Sequence, residues 1–215
     1  MKRIILIFSI LATTVMSSNA QSEEYVSSMK EIVDSIQTSK WGTDLIPYAN
    51  QLERVAGVET KEWLPNYWAA YCYMNKSYME PISEKKDLLL EKAEKLIATA
   101  EQLMPNNDEI EVLKANIASA RMAVDPQSRW QKYGAISGEA LGKAIKINTE
   151  NPRAKLLQAQ GIFYTPEAFG GGKQKALPLI KEALAKFEAF KPASAIMPNW
   201  GLFIAKYMMS EAEKG

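Results

Sequence analysis

The stretch LLLEKAEKLIATAEQLMPNN, residues 88–107, decides the fold. Ala93, Ile97 and Ala100 recur at steps of four and three, which places them on one helix face. Leu103 and Pro105-Asn106-Asn107 then end the run with residues that stop helices. The pattern returns in Ala176, Ile180 and Ala183, and again in Ser137, Leu141 and Ala144, where Ser replaces the first Ala and Thr149 stands in the place of the Pro. A second pattern of small residues alternates with it: Trp68-Ala69 with Cys72, Ala115 with Ala118, Gln158-Ala159 with Ile162, and Ile204-Ala205 with Met208. Ala69, Ala115, Ala159 and Ala205 are 46, 44 and 46 residues apart, and Ala93 to Ala115 and Ser137 to Ala159 are both steps of 22. Small residues at regular intervals on helix faces predict repeated helix pairs whose axes approach closely.

Outward from that stretch the chain reads as helix throughout. Apolar periodicity predicts helices at about 23–37, 43–57, 62–79, 84–104, 108–124, 128–148, 152–164, 173–190 and 199–213. The punctuation between them is Pro81, Pro105-Asn106-Asn107, Asp125-Pro126, Asn151-Pro152, Gly170-Gly171-Gly172, and Pro192 with Pro198. Asn or Asp followed by Pro is a stop-and-restart signal. No alternating run rich in Val, Ile and Thr with a two-residue turn beside it is found, so the fold class is all-α.

These alternating patterns resemble the tetratricopeptide repeat, whose second helix carries the Ala, large apolar and closing Pro pattern of residues 93–105. The likeness covers about residues 62–210 and departs from the family by lacking the first-helix Gly and Tyr. The period also exceeds the usual repeat of about 34 residues, and the excess falls between the two helices of each hairpin. Asn151-Pro152-Arg153-Ala154 and Phe169-Gly170-Gly171-Gly172-Lys173 are similar, more loosely, to stretches in exported tetratricopeptide proteins of Gram-negative bacteria. The resemblance implies antiparallel hairpins stacked as a short right-handed solenoid over residues 61–215. Residues 21–60 would form a degenerate N-terminal hairpin, and the last helix would cap the array. It further implies a concave groove lined by first helices, placing Trp63, Asn66 and Tyr73, then Asn116, then Arg153, Gln160 and Phe163, and finally Lys206 on the surface that takes a protein or peptide partner.

Met1-Lys2-Arg3 precedes the apolar run Ile4 to Ala12, and polarity rises through Ser17, Ser18, Asn19 and Ala20. This order of charge, apolar core and small residues reads as a secretory signal peptide over residues 1–20, cut after Ala20. The apolar run is shorter than the roughly 20 residues of a membrane span, so a periplasmic or secreted protein is expected. The whole chain carries a formal charge of +1, and loss of Lys2 and Arg3 takes it to −1. Phosphate binding needs a basic patch, so nucleic acid is a poor partner. Cys72 is the single cysteine, leaving no internal disulfide to support the core.

Catalytic chemistry finds few residues. The chain has no histidine, which removes Ser-His-Asp and Cys-His catalysis and the usual zinc sets. Cys72 lies among Trp68, Tyr71 and Tyr73 and reads as core. Asp108, Glu109 and Glu111 open a helix, where acidic residues complement the helix dipole. Gly170-Gly171-Gly172-Lys173 before a helix suggests an anion loop, but Glu167 and Gln174 stand where a phosphate loop needs Gly and Ser or Thr. The loop reads first as a flexible connection within the third hairpin that folds Phe169 back onto the helices, with an anion site as the alternative. The aromatic cluster Trp63, Tyr67, Trp68, Tyr71, Tyr73 and Tyr78 covers more than one helix face and reads first as core, with stacking on a sugar or peptide as the alternative. The expected function is a non-catalytic exported scaffold or adaptor with no cofactor and no metal. Its rivals are a carbohydrate- or peptidoglycan-directed enzyme using a carboxylate pair and a solute-binding accessory of a transporter.

Overall fold

A computed structural model describes residues 23–214; the signal peptide expected over residues 1–20 lies outside the described residues. The described chain is a run of helices: α1 (Glu23–Thr38), α2 (Ile46–Val58), α3 (Leu64–Met79), α4 (Ser83–Leu103), α5 (Asp108–Val124), α6 (Pro126–Ile147), α7 (Pro152–Phe163), α8 (Lys173–Ala189) and α9 (Leu202–Glu213), with one 3-10 turn at Glu167–Phe169. No strand occurs among the described residues. No helix there is long and apolar enough to cross a membrane.

The helix starts follow from the punctuation. Asn107 accepts the Ile110 N–H at 3.2 Å and opens α5. Asp125 accepts from Ser128 N–H ahead of Pro126, and the Asn151 side chain accepts from Arg153 and Ala154 N–H ahead of Pro152. Each cap satisfies donors that have no partner within the helix, and the Pro gives up an N–H that would have none. Asn106, at φ 57°, turns the chain between α4 and α5; the left-handed region is one that Asn tolerates better than most side chains.

Packing is dominated by the pairs α5 with α6, α3 with α4, and α7 with α8, and α9 lies on α8. The first helices α3, α5 and α7 also touch in succession. The fold is therefore stacked helix pairs closed by a C-terminal helix. Ala69, Ala93, Ala115, Ala144, Ala159, Ala176 and Ala205 are all fully buried, as close approach of helix axes requires. Ser137 shows why Ser replaces Ala in the second pair: its Oγ donates to the Ala115 carbonyl at 2.9 Å across the α5–α6 contact. Polar clamps join the pairs at their edges. Arg121 on α5 pairs with Glu94 and Asp87 on α4, and Arg129 on α6 shares Asp87.

One feature departs from a simple array. The segment 190–201 between α8 and α9 runs back to α3 and is held there. The Trp68 indole N–H donates to the Ile196 carbonyl at 2.8 Å, and the Trp200 indole N–H donates to the Tyr67 hydroxyl at 2.9 Å. Ile196 and Trp200 are buried. Gly201, at φ 111°, lets the chain turn from this strap into α9; a Cβ there would meet the Phe187 ring at 2.7 Å.

Candidate functional site

Most of the residues expected on the groove surface are not exposed to solvent. Trp63, Asn66, Tyr73, Arg153 and Phe163 are all buried, Asn116 and Gln160 are half-buried, and only Lys206 is exposed. The physical reasons differ by residue. Tyr73 faces α2, where its hydroxyl donates to Glu53 at 2.5 Å. Trp63 packs edge-on against Tyr67, with ring centroids 5.6 Å apart. The Arg153 guanidinium lies 4.4 Å from the Phe190 ring at the start of the strap. It donates to both Glu109 oxygens, and the Asn151 amide adds a third donor at 2.7 Å. Burial raises the Glu109 carboxyl above the usual range, and the Arg153 and Asn151 donors oppose that rise. The strap thus covers the side of α3 and α7 where an extended peptide was expected.

Trp68, Tyr71, Asn75 and Tyr78 lie at steps of three and four on α3, one helical stripe. Its first half is core, since Trp68 is fully buried and the Tyr71 ring sits 5.5 Å from the Trp200 ring. The second half opens. The Tyr78 ring is 43% exposed, yet burial pushes its hydroxyl up to about 12, with a further rise from Tyr164. The Tyr78 residue thus reaches water while its hydroxyl is shielded from it. Tyr164, at the C-terminal end of α7, is within electrostatic reach of Tyr78; its own hydroxyl is raised by burial and then by Tyr207 on α9. Three tyrosines from three elements therefore converge, each with an exposed ring, and Phe203 on α9 is 78% exposed nearby in sequence. The register rule missed Tyr78, Tyr164 and Tyr207 because they lie outside its offsets. The one available signal was the continuation of the α3 aromatic stripe to Tyr78.

The glycine N–H groups of the loop are already bonded. Gly170, Gly171 and Gly172 N–H groups donate to the Glu167, Pro166 and Ile162 carbonyls, so none is free to receive an anion. The same bonds draw the loop tight, and Gly171 sits where a Cβ would be 2.1 Å from the Thr165 oxygen. Phe169 is turned outward, 82% exposed, and does not fold back onto the helices. Cys72 is buried and its thiol is raised by desolvation, which leaves it inert. No group of His, Cys, Asp and Glu among the described residues is arranged to hold a metal ion. An apolar recess of about 180 Å³ lies between α4, α5 and α6, lined by Ile97, Ile117, Tyr133 and Ile136. It is smaller than the roughly 300 Å³ at which ligand pockets begin.

No protein-family model matches the chain, and no curated protein matches it. Among solved structures, the HusA haemophore from Porphyromonas gingivalis is similar with a TM-score of 0.80 and 36% sequence identity, over 90% of this chain and 95% of that one. With that identity over nearly the full length of both chains, this chain belongs to the family of the HusA haemophore.

Proposed function

We propose that this chain is an exported, non-catalytic haem-binding protein that holds a tetrapyrrole in the recess of Tyr78, Tyr164 and Tyr207, on a scaffold of tetratricopeptide-like pairs. The observation that carries the reading is the convergence of these three exposed rings from α3, the end of α7 and α9 in a relative of a haemophore. A porphyrin offers two broad apolar faces and an edge of carboxylates. Flat aromatic side chains match the faces at little entropic cost, and the exposed Lys206 on α9 offers a cation to the edge. The cargo is taken up and released without covalent change, so the absence of histidine from the chain is no obstacle. Export follows from the leader expected at residues 1–20.

The test is titration of the chain beginning at Gln21 with haemin, followed by the Soret band. A saturable spectral shift is expected. Tyr78→Ala combined with Tyr164→Ala should weaken it at least about tenfold, equivalent to about 1.4 kcal/mol, with an unchanged melting temperature. Wild-type protein that gives no saturable shift would reject the reading.

A further inference from the structure

One face of α9 passes from apolar to charged. Phe203, Tyr207, Glu211 and Lys214 follow at steps of four, four and three, which sets them in one stripe. Lys214, just past the last helical residue, still has helical angles of φ −79° and ψ −8°. Tyr207 therefore stands one turn, about 6 Å along the axis, from Glu211. Glu211 is shared by two cations. Its Oε1 accepts from the Lys214 ammonium at 2.7 Å, and its Oε2 accepts at 3.2 Å from the ammonium of Lys173 on the first turn of α8. The start of α8 is fixed to the end of α9 beside this bridge, where the Gln174 side-chain amide donates to the Ala212 carbonyl at 2.7 Å. From Lys173 the contacts lead back to the tyrosines. Its ammonium lies 5.9 Å from the centre of the Phe163 ring, which meets the Tyr164 ring edge-on with centroids 4.9 Å apart. Tyr164 is within electrostatic reach of Tyr207, and Tyr207 of Lys214. These links close a circuit through Tyr164, Tyr207 and both lysines.

We infer that Lys173 and Lys214 form a carboxylate clamp, which takes an acid group at the edge of the tetrapyrrole whose faces lie on Tyr164 and Tyr207. This rests on the haem-binding function proposed above. Two positive charges here meet one negative, so a further carboxylate completes the balance. Each ammonium also keeps donors beyond the one it gives to Glu211. The Lys173 and Lys214 side chains are 43% and 67% exposed, which leaves both open to an incoming anion. Glu211 holds the two ammoniums side by side, and the bond from Gln174 to Ala212 keeps their helices in register. The apolar end of the stripe then receives the macrocycle and the charged end its edge.

The experiment titrates the chain from Gln21 with haemin and with haemin dimethyl ester, which keeps the macrocycle and iron but has no free acid. Wild type is compared with Lys173→Gln combined with Lys214→Gln. Lys132→Gln combined with Lys181→Gln is the control, since it removes the same charge from exposed positions on α6 and α8. Exposed ion pairs are individually modest, so wild type is expected to bind haemin about fivefold more tightly than the ester. The Lys173 and Lys214 variant should lose that preference, with haemin weakened about fivefold and the ester unchanged, while the control keeps it. Wild type that binds the ester as tightly as haemin would overturn the clamp and keep the recess as the site, and this comparison needs no variant to fold. A preference that survives in the Lys173 and Lys214 variant would overturn it too and pass the carboxylate to another cation, Lys206 foremost. Equal loss of preference in the control would reduce the effect to net charge and also overturn the clamp. Wild-type protein that binds neither porphyrin would remove the function proposed above and this contact with it.

Discussion

Trp68 on α3 donates its indole N–H to the carbonyl of Ile196, 128 residues further along the chain, at 2.8 Å. Both residues are fully buried, so the bond cannot be exchanged for one to water. Trp68→Phe keeps most of the ring but leaves that carbonyl without its donor. The expected loss is about 1–3 kcal/mol of unfolding free energy, read by urea denaturation. An unchanged midpoint would show that the strap is not held by this bond.

A second buried polar pair gives a sharper contrast. Arg153 is fully buried and bonded to Glu109 through two donors. Removing one partner leaves an uncompensated buried charge, so Glu109→Ala should cost about 3–5 kcal/mol. Glu109→Leu with Arg153→Met replaces the pair by apolar volume and should recover most of that loss. Denaturation of the single and double variants checks both, and equal losses in the two would refute the account.

The repeat register has its own test at Ala115, fully buried and in contact with Ser137. Ala115→Leu inserts volume where α5 and α6 meet and is expected to cost about 1–3 kcal/mol. Thermal unfolding at wild-type temperature would mean that the helix axes are not held together at this point.

What was legible in the sequence was local. The caps Asn107, Asp125 and Asn151 and the buried alanines depend on neighbours within a few residues or on a repeated spacing. Helix ends at Pro126 and Pro152 and the pairing of α3 with α4 follow from them. The site depends on distant partners. Tyr67 meets Trp200 at a separation of 133 residues, and nothing near either residue announces the other. The register rule assumed that first helices face an open groove. The strap and α2 bury Arg153 and Tyr73, while Tyr78 at the end of α3 stays exposed. Phe169 departs from its expected place for a related reason: its glycines look flexible in sequence, yet their N–H groups are all bonded, two within the loop and one to Ile162 on α7.

Acid should loosen the α4–α6 clamp. Asp87 accepts from Arg129 and Arg121, and chiefly the Arg129 hydrogen bond lowers its carboxyl to about 2 from an ordinary 3.8. A carboxyl depressed on folding contributes stability that is complete above its unfolded pKa and is lost as pH falls toward the folded value. The contribution should therefore be present above about pH 4 and fade toward pH 2. Asp87→Asn should flatten that part of the pH–stability curve. A variant with the same acid slope as wild type would assign the slope to other carboxylates.

The recess also makes a claim about iron. The chain has no histidine, and the ring cluster of the site offers iron only tyrosine oxygens. Tyrosine can ligate haem iron, but burial pushes the Tyr78 hydroxyl up to about 12 and raises that of Tyr164, which disfavours the phenolate each would have to become. Recognition then falls to the ring faces, which a porphyrin presents with or without its metal. Metal-free protoporphyrin should bind within about threefold of haemin. Tyr78→Phe and Tyr164→Phe, which keep the rings and remove the hydroxyls, should hold haemin within the same factor, well under the roughly tenfold that 1.4 kcal/mol represents. Fluorescence and Soret titrations of the chain from Gln21 measure both. A metal-free ligand bound about a hundredfold more weakly, or loss of haemin affinity in either Phe variant, would place the iron at the centre of recognition and refute stacking as its basis.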